Sequence, residues 1–164
     1  MPRHAVGGYS AAQIVLHWTI AALVLLQFLF AERIEELWEA RLSGAVPDAP
    51  SPTLHTVAGM AILALMIARL ALRLRRGAPA PPLGETSALA RLAAATHVAF
   101  YVLLIAMPVG GAVAWFGGVE AAAEIHGIAA SVLLALVLLH VAAALAHRFW
   151  FRDGVFQRML RPAP

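Results

Sequence analysis

Seven histidines and no cysteine give this 164-residue chain its chemical reach. Without thiols there can be no disulfide, no Cys-based zinc or iron–sulfur site and no covalent C-x-x-C-H attachment of haem. His126 and His140 stand fourteen positions apart within 125–147, a stretch of 23 residues with no charged side chain. On an α-helix that spacing rises ~21 Å and returns within ~40° of whole turns, so both imidazoles lie on one stripe. Each then sits near one face of a ~30 Å hydrocarbon layer. Two histidines so placed call for two partners elsewhere in the chain.

The elements that must position them are read from composition. The chain is 62% hydrophobic and 13% charged, with a mean hydropathy of +0.80. A soluble domain of this length could not hide so much apolar surface, so lipid is its solvent. Four apolar runs follow one another: 11–31 without a charge, 53–72 broken only by Arg69, 92–119 without a charge, and 125–147. Each is long enough to span a bilayer, and backbone in lipid must be helical or closed into a barrel. The runs lack the alternation of a barrel strand. The expected fold is therefore all-α, an integral membrane four-helix bundle occupying 1–164 as one domain. Its helices are expected at about 11–31, 53–75, 89–115 and 124–149.

The connections carry their own signals. Ile34, Leu37, Trp38 and Leu42 repeat at helical spacing among charges, which predicts a short amphipathic helix over 33–42 on the outer surface. Prolines at 47, 50 and 52 make a stiff lead into the second helix, and prolines at 79, 81 and 82 break the chain after it. Ser87 is a candidate N-cap for the third helix, and the glycine pairs at 110–111 and 117–118 predict its end before Val119. Arg148, Phe149, Trp150, Phe151 and Arg152 form an interface anchor opening a basic tail, 148–164. The first apolar run is too long for the h-region of a signal peptide.

Charge sets the orientation. The N-terminal tail, the 73–91 connection, the C-terminal tail and Arg69 hold ten of the twelve arginines against Glu85 and Asp153, a net +8. The other two connections hold Arg33 and Arg41 against seven acids, a net −5. The positive-inside rule then places both termini in the cytoplasm, with the acidic side outside. The basic residues flank apolar runs and form no soluble patch, which excludes a nucleic-acid partner.

Depth sorts the histidines. His17 lies six residues inside the cytoplasmic end of helix 1, ~9 Å along its axis, and His140 seven residues inside that of helix 4, ~10 Å. His55 and His126 both open helices on the outer side. An inner pair, His17 with His140, and an outer pair, His55 with His126, are what six-coordinate haem irons need in a helical bundle. Position i+4 after each of the four is alanine or glycine, as a flat macrocycle needs, whereas His97 is followed by Tyr101. Tetrahedral zinc would want its ligands together, and these are split across the membrane. The bland alternative is a non-redox bundle whose histidines hydrogen-bond neighbouring helices.

His97 shares the inner level, so depth alone leaves its role open. Arg69 lies fourteen residues after His55, at the depth of His17 and His140. It fits a haem propionate through bidentate hydrogen bonds or, equally, snorkels to inner headgroups. His147 shares the stripe of His140 and is either wetted at the interface or in contact with a propionate or quinone. His97, Tyr101 and His147 are the quinone candidates by position. His4 falls in a tail expected to be mobile.

Leu16–His17–Trp18, Leu54–His55, Ile67 to Leu70, Thr96 to Tyr101 and the helix-4 histidine pair together resemble the bacterial cytochrome b561 family. The closing Arg152–Asp153 and Arg158–Met159 resemble its C-terminal ending. That family is related to the cytochrome b subunits of hydrogenases and formate dehydrogenases. The resemblance implies two b-type haems stacked across a bacterial inner membrane, held inside by His17 and His140 and outside by His55 and His126, with ubiquinone as a substrate. It also implies an oxidoreductase that takes electrons from a periplasmic donor, superoxide first, and passes them to quinone. The acidic outer face suits superoxide, an anion, only if Arg33 or Arg41 makes a local positive patch. It suits a cationic redox protein such as a basic cytochrome c better. The other reading is a haem-bearing membrane anchor for a soluble dehydrogenase.

Overall fold

A computed structural model describes residues 8–45, 51–82 and 86–163. Among these the chain is helical, with no strand. Its long elements are α1 (Ala11–Leu29), α2 (Ala31–Leu42), α3 (Leu54–Arg76), α4 (Ser87–Gly117) and α5 (Glu120–Ala146). α1, α3, α4 and α5 are long and apolar enough to cross a membrane, as the four runs predict. His4, Glu85 and residues 47–50 of the proline linker lie outside the described residues.

Local chemistry sets the boundaries. Ser10 and Gln13 form a capping box at the start of α1, and Thr53 with Thr56 does the same for α3. These side chains satisfy amide groups that would otherwise face lipid unpaired. α4 is capped by Thr86, whose side chain accepts from Leu89 N–H; Ser87 is its first residue and not its cap. α4 also runs through Gly110 and Gly111 and through Pro108 to Gly117, because lipid gives a loosened turn no water to bond instead. It ends where Gly118 takes a left-handed φ of 68°.

Two boundaries differ from the expected ones. α1 stops at Leu29, and α2 follows after the single joint residue Phe30. α5 begins at Glu120, so His126 is its seventh residue and does not open the helix. The Glu-Ala-Ala-Ala-Glu lead consists of strong helix formers, and Glu120 suits the positive end of the helix dipole.

The helices pack in chain order: α1 on α3, α3 on α4, α4 on α5, with α1 and α5 scarcely touching. Ile20, Val24, Ile62, Met66 and Leu133 form the buried core, flanked by Phe28, Phe100 and Tyr101. Leu133 lies seven residues from both His126 and His140, so this core occupies the middle depth. Apolar side chains such as Val15, Leu54 and Leu138 face outward, 63%, 75% and 62% exposed. In lipid such burial earns no hydrophobic gain, so close packing and interhelical hydrogen bonds hold the bundle, each bond about 0.6–2 kcal/mol. Gln13 donates to the Gly77 carbonyl (3.1 Å), Gln27 to that of His55 (3.0 Å) and Trp115 to that of Ser51 (3.0 Å).

Within the basic C-terminal tail, residues 148–163 fold back on the bundle. α5 runs on through a wider π turn, His147–Phe151, and after a left-handed Arg152 a short 3-10 turn spans Phe156–Met159. Trp18 donates to the Met159 carbonyl (2.8 Å), Arg158 to that of Ala80 (2.7 Å), and Ala163 N–H to that of Tyr9 (3.0 Å). This strap ties the chain's end to α1 and to the α3–α4 connection. Phe149, Trp150 and Phe151 point outward, 66%, 84% and 57% exposed.

Candidate functional site

The bundle brings the histidines together at two levels. At the level near the chain ends, the His17 and His140 rings stand 6.3 Å apart, centre to centre. At the level near α2, His55 and His126 stand 6.1 Å apart. A metal–imidazole bond of ~2.0 Å, plus ~1.1 Å from nitrogen to ring centre, places two imidazoles sharing one metal about 6.2 Å apart. Both pairs meet that separation, so the residues present fit a bis-histidine haem at each level. Among the described residues no three His, Asp or Glu side chains converge as a zinc site would require.

Each pair has its own surroundings. The His55–His126 level opens on a cavity of about 370 Å³ whose lining includes both imidazoles, Gly59, Gly111, Trp38 and Glu35. The amphipathic helix α2 therefore helps wall this cavity. Gly59 is buried one turn after His55, with Gln27 Nε2 over it, 3.4 Å from where a Cβ would stand. One nitrogen of His55, Nδ1, is buried with no hydrogen-bond partner. His126 Nδ1 lies 3.0 Å from the Met107 carbonyl oxygen.

The other level is more crowded. His97 stands 5.8 Å from His140 and Phe100 5.4 Å, both edge-on. His97 Nδ1 donates to the Ala93 carbonyl at 2.7 Å, a bond within its own helix. Arg69 Nη1 donates to the Gln13 carbonyl at 2.8 Å, one turn before His17. The guanidinium is thus held at the His17 level, turned toward α1. Arg73 sits over the Tyr101 ring at 5.9 Å. Both line a separate crevice of about 380 Å³ between α3 and α4, with Leu70 and Val98.

His147 stands apart from these clusters. Its Nδ1 is 2.6 Å from Asp153 Oδ2, and its ring meets Phe151. Burial alone would raise the Asp153 carboxyl, but the hydrogen bonds from His147 and the Val155 N–H hold it below its ordinary value.

The sequence reading assigned no site role to Gln13, Gln27, Gly111 or Asp153. The two glutamines carried a readable signal, since an amide inside an uncharged membrane run is costly unless it bonds another helix. The Met107 carbonyl carried none, because any residue offers one.

Near α2 the two arginines are engaged. Arg33 pairs with Glu36 at 3.0 Å on the surface. Arg41 donates to the Trp115 carbonyl and lies over the Trp38 ring. Glu32, Glu35, Glu36, Glu39, Glu120 and Glu124 are exposed at the same end.

Four apolar helices with imidazoles paired at two depths have the build of a membrane b-type cytochrome. Comparison with known proteins is specific on this point. The family model for prokaryotic cytochrome b561 matches residues 8–162, and the chain belongs to that family. It is 36% identical over 155 residues to cytochrome b562 of Cereibacter sphaeroides, covering 94% of this chain and 96% of that protein. It is 29% identical over 178 residues to the protein named "Probable superoxide oxidase CybB" of Yersinia pestis, covering 93% and 95%. The chain is thus a multi-pass membrane cytochrome of an electron-transferring family that carries haem b.

Proposed function

We propose that the chain holds two haem b groups at opposite depths of a bacterial inner membrane and passes electrons from a periplasmic donor to ubiquinone. The reading rests on one observation, the two imidazole pairs at 6.3 and 6.1 Å. His17 and His140 serve the cytoplasmic-side haem, and His55 and His126 the periplasmic-side one. Arginine bias takes the chain ends to the cytoplasm. Held by these histidines, haem would supply a one-electron couple suited to electron transfer. The chain's own part is to fix depth, ring orientation and charge around each group. For the quinone head group, the crevice beside Arg73 and Tyr101 offers a cation and a phenol at the end of an apolar slot. His97 lies one turn from Tyr101.

Superoxide is the leading donor, by likeness to the Yersinia pestis relative. Two superoxide anions would each give one electron and leave as dioxygen, and one ubiquinone would take both electrons with two protons to become ubiquinol. A second reading, a cationic redox protein as donor, is favoured by a specific observation. Arg33 offsets only its partner Glu36, and Arg41 is held against the Trp115 carbonyl, so the carboxylates exposed at this end still outnumber the cations. A dehydrogenase docked on the chain as its anchor would use the same path.

Stopped-flow mixing with superoxide, ubiquinone present, tests this. Haem bands should reduce faster than superoxide dismutates, and the rate should rise with ionic strength, as screening relieves the repulsion of an anion from an acidic face. No reduction above dismutation would rule superoxide out. A basic cytochrome c whose rate falls with salt would then be the donor class.

A further inference from the structure

Granting that His126 is a haem ligand, we propose that α4 fixes which nitrogen of His126 meets the iron, and how its ring is turned, through two backbone features. These are the carbonyl of Met107 and the missing side chain of Gly111.

Three imidazoles among the described residues have a ring nitrogen in a hydrogen bond: His97, His126 and His147. Of the four paired histidines only His126 does, and its bond crosses from α5 to α4. A carbonyl oxygen can only accept, so Nδ1 must carry the proton. The lone pair is then left on Nε2, the nitrogen a metal would take. Met107 can keep its helical bond and still serve, because a carbonyl has two lone pairs.

Gly111 supplies the room. A Cβ there would stand 3.0 Å from His126 Cε1 and 3.1 Å from Nδ1, closer than side-chain atoms ordinarily pack. Its neighbour Gly110 would meet nothing within 4 Å. Of the pair, only Gly111 is required by the imidazole. It lets the ring lie against α4 where the Met107 carbonyl can reach it.

The consequence is electronic as well as steric. A hydrogen bond from Nδ1–H to a carbonyl makes the imidazole a stronger donor. A stronger donor favours oxidised iron and lowers the reduction potential. His17, His55 and His140 have no such bond among the described residues, so the device marks one axial ligand of one site.

The test uses the full-length, haem-loaded protein in detergent or liposomes. Gly111→Ala and Gly110→Ala are compared with the unaltered chain by redox titration and low-temperature electron paramagnetic resonance. Gly111→Ala should raise the potential of the periplasmic-side haem and shift its low-spin g value, or release that haem alone. The other haem should stay as it was, and Gly110→Ala should leave both unchanged. Identical spectra and potentials in the two variants would overturn the inference. Should Gly111→Ala not accumulate, the reduced and diamagnetic unaltered protein decides by nitrogen-15 magnetic resonance. An exchange-protected Nδ1–H on His126 supports the proposal, and a freely exchanging one refutes it. A chain that binds no haem at all would instead defeat the reading of the site.

Discussion

His17 and His140 face each other at 6.3 Å between two helices that scarcely touch. At the opposite level His55 and His126 repeat the separation at 6.1 Å. Helix α5 contributes to both, and Leu133 packs into the core midway between its two histidines. The sites are therefore held at a fixed spacing by a packed layer. Electron transfer between them would need no moving part.

Arg69 is anchored to the Gln13 carbonyl at 2.8 Å, beside the His17 level. A fixed cation near a haem stabilises its reduced, less positive form. Arg69→Gln should therefore lower the potential of the cytoplasmic-side haem by the equivalent of about 2 kcal/mol, as expected for a charge ~8 Å away at an effective dielectric of ~20. Redox titration checks this. An unchanged potential, or an equal fall at both haems, would contradict it.

Arg41 and Arg33 lie on the same short helix but differ in use. Arg41 ties α2 to the Trp115 carbonyl, whereas Arg33 pairs with Glu36 in solvent. Arg41→Ala should destabilise the protein by about 1.5–3 kcal/mol, the range for a hydrogen bond to a charged group. Arg33→Ala should cost no more than about 1 kcal/mol. Thermal unfolding followed by circular dichroism separates them, and equal losses would contradict the assignment.

Much of this was legible in the sequence, for definite reasons. The four spans were readable because lipid demands long uncharged helices, and α2 because Ile34 and Trp38 repeat at helical spacing. The fourteen-residue interval in α5, with His17 and His55 at matching depths, anticipated both imidazole pairs. Other features stayed hidden because they depend on backbone groups or on three-dimensional return. The glycine pairs foretold an end before Val119, and α4 does stop at Gly117, but nothing in the sequence told that Gly111 makes room for His126. Ser87 looks like a cap, but Thr86 one residue earlier does the capping. The 148–164 segment reads as a charged tail, and only folding reveals that Met159 and Arg158 reach back to Trp18 and Ala80. Arg69 could be read as snorkelling or propionate-binding, and its bond to Gln13 was invisible because the acceptor is a carbonyl.

The strap carries a pH dependence through Asp153. Its carboxyl is held below the ordinary value of 3.8. A lowered native value means that the stabilisation is fully present above the ordinary value and is lost as pH falls through the lowered one. Asp153→Asn should remove that benefit at neutral pH. Proteolysis of the 152–163 segment at pH 7 should be faster in the variant, and acid should accelerate it in the unaltered protein only. Equal rates at pH 7 would show that the His147–Asp153 bond does not hold the strap.

Haem counting by pyridine haemochrome on purified protein is the most direct test of the paired sites. The unaltered chain should carry two haem b, His140→Ala and His55→Ala one each, and the double variant none, while His97→Ala keeps both. A single haem in the unaltered chain, or loss of a haem in His97→Ala with retention of both in His140→Ala, would contradict the account.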